Sequence, residues 1–155
     1  MKESSRVLYV EKEKLTFQFF SNGQKQDEVV LNAGYQLIAD RFFKSNIPTE
    51  GETDYAINFI EDELMSNKKL VGDNEGLAIL SPIVEEVFRK YAINQPTIQR
   101  QEIEDLFSLA ARVVMSRHLP EGLELNSVNF AVILLLREIS HHLKFTHITF
   151  TTESL

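Results

Sequence analysis

An α+β fold is expected from three features of the chain. The first 31 residues alternate as a β-meander, the middle carries a series of segments with helical periodicity, and Thr146 to Thr151 alternates again. The expected architecture is a small, mostly antiparallel sheet, built from the N-terminal meander plus the C-terminal strand. It packs against about five helices as one domain spanning residues 1–155.

The strands come first. Arg6 to Val10 and Leu15 to Phe20 read as strands, the second with Leu15, Phe17 and Phe19 alternating with Thr16 and Gln18. Asn22-Gly23 suits the positive φ angles of a tight hairpin turn, so Glu28 to Leu31 should return as a third strand.

Helices follow. Asn32 can cap a helix reaching about Lys44, and Ile47-Pro48-Thr49-Glu50-Gly51 breaks it. Thr53 can cap the next, with Ala56, Ile57, Ile60 and Leu64 at helical spacing. Gly72-Asp73-Asn74-Glu75-Gly76 reads as a turn, and Leu77 to Leu80 as a short strand or extended piece. Ser81-Pro82 is a helix start, with serine as cap, proline at the first helical position and Glu85 and Glu86 close behind. A long helix should run from about Ile98 to His118, with Ile103, Phe107, Ala110 and Val114 on one stripe. The last helix, Ser127 to Leu143, is capped by Asn126 or Ser127. It carries seven consecutive apolar residues, Phe130 to Leu136, followed by Arg137, Glu138, Ser140 and the His141-His142 pair.

Composition bounds the function. The chain has 155 residues, 43% of them apolar and 25% charged, which is the balance of a globular protein. A run of seven apolar residues is far short of the roughly 20 that cross a bilayer. The N-terminus shows no secretory signal, so a cytoplasmic location is the expectation. The absence of cysteine excludes disulfides, thiolate zinc sites and a cysteine nucleophile. With 16 basic against 23 acidic residues, and no cluster larger than Lys68-Lys69, neither nucleic acid nor an anionic membrane is an expected partner. The glycines are too scattered for a phosphate-binding loop, and no cofactor is expected.

Chemistry concentrates at the end of the last helix. Glu138 and His142 stand four residues apart and can touch, so Glu138 could orient His142 for general acid–base work. Glu138 with His141 makes a Glu-x-x-His spacing of the kind that serves carboxylate-bridged metal bundles. Such sites need a second pair, and His118 and His147 have no acid three residues before them, so no metal is expected. A helix-surface pair favoured by the helix dipole is the simpler reading of Glu138 and His142. The clusters Glu61-Asp62-Glu63 and Glu102-Glu104-Asp105 read as solvated helix faces.

At 100° per residue, Val128, Val132, Leu135, Ile139 and Leu143 form the core stripe of the last helix. Phe130, Ile133 and Leu134 lie on the opposite side, so either this is the one helix fully surrounded within the chain or that apolar side is covered by another chain. The leading expectation is therefore a non-catalytic, cytoplasmic protein-interaction domain, self-associating or bound to a protein partner through that face. The alternative is a hydrolase or metal-assisted enzyme using Glu138, His141 and His142.

Overall fold

The computed structural model describes residues 4–72, 75–91 and 93–151. Six strands, β1 (Ser4–Val10), β2 (Leu15–Ser21), β3 (Gln24–Leu31), β4 (Glu75–Leu80), β5 (Thr97–Gln99) and β6 (Phe145–Phe150), form one sheet in the order β3-β2-β1-β4-β6-β5. Five helices accompany them: α1 (Tyr35–Phe42), α2 (Glu50–Leu64), α3 (Pro82–Lys90), α4 (Arg100–Ser116) and α5 (Ser127–His142).

The meander forms, with β3 starting at Gln24 rather than the expected Glu28, directly after Asn22 and Gly23, both at positive φ in the β2–β3 turn. Beyond it the sheet differs from expectation. It is mixed: β4 runs parallel to both β1 and β6, while β5 is antiparallel to β6. The C-terminal strand therefore pairs with β4 and β5 and not with the meander. Both parallel connections, β1 to β4 and β4 to β6, step toward the same edge. Right-handed crossovers then lay the intervening helices on one face, and α5 accordingly contacts every other helix and β6.

Several boundaries move. The cap of α1 is Gly34, not Asn32, because the backbone N–H groups of Tyr35, Gln36 and Leu37 donate to the carbonyls of Glu11 and Lys12 in the β1–β2 turn. The cap of α2 is Thr49, not Thr53, fixed by a reciprocal capping box with Glu52. Ile98 and Gln99, expected to open a helix from about Ile98, instead belong to β5 before α4 begins. Three residues give too short a run for a period-2 pattern to show. Of the expected Gly72–Gly76 turn, Asp73 and Asn74 lie outside the described residues, and Glu75 and Gly76 belong to β4.

The core sits between the sheet and α5. Leu8, Phe17 and Ile79 are neighbours across three strands and fully buried, as are Leu77 and Ile148. Every residue of α5 from Asn129 to Leu136 is buried. The expected interface residues Phe130, Ile133 and Leu134 are each 0% exposed within the single chain. Phe43 and Phe107 pack on Phe130 with ring centroids 5.6 and 6.4 Å away. The opposite face of α5 is an interior face, covered by the chain's own helices.

Candidate functional site

Two groups of polar side chains lie at opposite ends of the sheet. The first lines the crevice beyond the carboxyl ends of the parallel strands β1 and β4. Strand β1 leads there into the Glu11-Lys12-Glu13-Lys14 turn, and β4 leads through Ser81 into α3. A cavity of about 640 Å³ is lined by Leu80, Ser81, Glu86, Arg89, Lys90 and Thr151, among others.

Ser81 joins the two loops. It is buried, its Oγ donates to the Val10 carbonyl at 3.1 Å, and the same oxygen caps the Val84 N–H. The N-terminus of α3 is thereby fixed against the end of β1. The N-terminus of α1 reaches the same end but is closed, since its first N–H groups are consumed by the β1–β2 turn. Glu85 is held by Arg89 at 2.7 Å, while Glu86 is exposed and has no ion pair among the described residues. Lys90 lies 3.5 Å from Glu124. Charge in the crevice is thus balanced, with two basic and two acidic side chains along α3. Sequence reasoning missed this crevice. Its one legible signal was Ser81-Pro82 following a short apolar strand.

The second group lies at the end of α5. Glu138 and His142 do meet there, and Glu61 of α2 joins them. His142 Nε2 lies 2.8 Å from Glu61 Oε2 and 3.1 Å from Glu138 Oε1. Glu138 is 0% exposed, and burial raises its pKa above the usual carboxylate range, with Arg137 and His142 opposing the shift and Glu61 adding to it. Arg137 donates to Glu138 Oε2 at 2.6 Å, reaches Glu104 of α4, and covers the Phe107 ring with its guanidinium 4.8 Å from the centroid. His141 is exposed and touches His142 edge-on, so the Glu-x-x-His pairing of Glu138 with His141 is not the one that forms. Glu61, read from sequence as part of a solvated acidic face, turns inward to this cluster. Neither the crevice nor the grooves flanking α4 is lined by Glu138, His141 or His142.

No family model matches the sequence, and no curated protein matches it. Solved structures do. The chain resembles a PPX-GPPA enzyme of Aquifex aeolicus with a TM-score of 0.74 and 15% identity, covering 97% of this chain and 54% of that one. It also resembles an exopolyphosphatase from Cytophaga hutchinsonii with a TM-score of 0.67 and 18% identity, again over 97% and 54% of the two chains. An exopolyphosphatase-like protein gives 0.69 at 10% identity, over 95% and 54%. The chain spans about half the length of these structures, and the likeness is one of fold. The expectation of a non-catalytic interaction domain is corrected here: it rested on an uncovered helix face, that face is interior, and the similar structures named above are described as enzymes.

Proposed function

We propose that the protein is a hydrolase of the phosphatase class, acting on a polyphosphate or a similar phosphoanhydride held in the crevice at the carboxyl ends of β1 and β4. The observation that carries the reading is the likeness of nearly the whole chain to Ppx/GppA-type structures. The crevice adds physical support, because it sits where parallel strands end and a helix begins, a position suited to anionic ligands.

Roles follow from the side chains present. Arg89 and Lys90 supply positive charge for phosphate oxygens, and Lys12 and Lys14 stand on the neighbouring turn. Hydrolysis needs a group that takes a proton from the attacking water as the phosphorus–oxygen bond breaks. Glu86 is the crevice carboxylate without an ion pair among the described residues, whereas Glu85 is occupied by Arg89. Ser81 positions α3 and is too engaged to act as a nucleophile. On this reading the working residues are those of α3, not Glu138, His141 and His142, which do not line the crevice.

The test is phosphate release from inorganic polyphosphate by the purified protein. Wild type should release phosphate, and Glu86→Gln should lower the rate about 100-fold while leaving the fold intact. An unchanged rate in Glu86→Gln would remove that residue from the mechanism.

A further inference from the structure

Three ligand atoms at the end of α5, one from each of Glu61, Glu138 and His142, lie within 4.8 Å of one another. Their hydrogen bonding does not close. His142 Nε2 carries at most one proton and faces two carboxylate oxygens, at 2.8 and 3.1 Å. Glu138 Oε1 is fully buried and, among the described residues, accepts no hydrogen bond, despite the nearness of that ring nitrogen. A buried carboxylate oxygen left without a partner is expensive, and beside two further ligand atoms this one is placed to coordinate a cation.

We infer that Glu61, Glu138 and His142 form a binding site for a divalent transition-metal ion, zinc by the chemistry of the donors. One imidazole nitrogen with two carboxylate oxygens is a donor set that zinc accepts, with a fourth position left for water. An all-oxygen site would suit magnesium or calcium; the imidazole argues against both. Tetrahedral zinc bonds of about 2.0–2.1 Å place ligand atoms about 3.4 Å apart. The observed nitrogen–oxygen spacings are a few tenths of an ångström shorter, so the ligands open slightly to admit the ion.

The surroundings fit a bound cation. Glu138 presents its second oxygen to Arg137, which Glu104 and Phe107 hold in turn, so the ligand's orientation is fixed from outside the site. Glu61 and His142 are partly exposed, which leaves a route in from solvent. The C-terminal half of α2 and the last turn of α5 would be joined by the ion. This is the end of the fold where β6 begins, away from the crevice, so the role is that of a staple between helices. It stands whether or not the phosphatase reading does.

The experiment is a calorimetric titration of the chelator-treated, dialysed protein with Zn²⁺, followed in parallel by Co²⁺ absorption in the visible. One ion should bind per chain, with the cobalt spectrum reporting a nitrogen–oxygen site. Glu61→Gln, Glu138→Gln and His142→Ala should each weaken binding at least about 100-fold. If Glu138→Gln fails to fold, the other two, at partly exposed positions, decide the matter. No saturable binding by the wild type, or binding equally tight in Glu61→Gln and His142→Ala, would overturn the assignment.

Discussion

The carbonyl of Lys12 occupies the space that a Cβ on Gly34 would need. The glycine lets the β1–β2 turn press its backbone onto the start of α1, where the Lys12 oxygen accepts from Gln36 and Leu37 at 2.9 and 3.0 Å. At φ −72° the backbone of Gly34 is ordinary, so the requirement is steric and not conformational. Gly34→Ala must therefore push backbone against backbone. Urea unfolding should show a loss of about 1–3 kcal/mol, the scale of overpacking, with the denaturant slope unchanged.

Leu134 was legible as apolar and its surroundings were not. Leu134→Ala should cost about 2–5 kcal/mol by chemical denaturation, the cost of a cavity in a packed core. Leu134→Asp and Ile133→Asp should leave the protein unfolded by circular dichroism. A folded variant of lower mass would instead restore the interface reading.

Glu138 separates structural from metal-dependent effects. Without metal, Glu138→Ala leaves the half-buried Arg137 with Glu104 alone and should lower stability by about 2 kcal/mol. His142→Ala, at a position 28% exposed, should cost under about 1 kcal/mol in the same metal-free state. Thermal unfolding with and without chelator resolves the two contributions.

Tyr91 gives a clean pH signature. Burial pushes its phenol up to about 12, opposed by Asn129 and reinforced by the Glu124 carboxylate, and its hydroxyl donates to the Glu124 carbonyl. The unfolded chain binds this proton only up to about pH 10. Stability from Tyr91 is thus complete below pH 10 and falls as the pH rises from 10 to about 12. Ultraviolet titration should show one tyrosine ionising late, and Tyr91→Phe should remove both the late step and its share of the alkaline loss.

Local signals carried most of the elements. Asn22-Gly23 marked the hairpin, Ser81-Pro82 started α3, and Asn126 caps α5 as its position implies. What failed was long-range. Strand direction is set by crossovers, so nothing near Phe145–Phe150 announces parallel pairing with β4. The three residues of β5 are held by pairing with β6 and show no period of their own. Seven apolar residues in a row told that α5 is enclosed, while the identity of what encloses it, Phe43 and Phe107 among others, depends on helices far along the chain. Glu61 was hidden for the same reason, since its partners are 77 and 81 positions away in sequence.

Phosphate release from inorganic polyphosphate, read with direct binding of the same polymer, is the decisive measurement for the hydrolase reading. Saturable binding and steady release are expected, with Lys90→Ala weakening binding and Glu86→Gln abolishing most of the turnover while still binding. A correctly folded protein that neither binds the polymer nor releases phosphate from it would rule that function out.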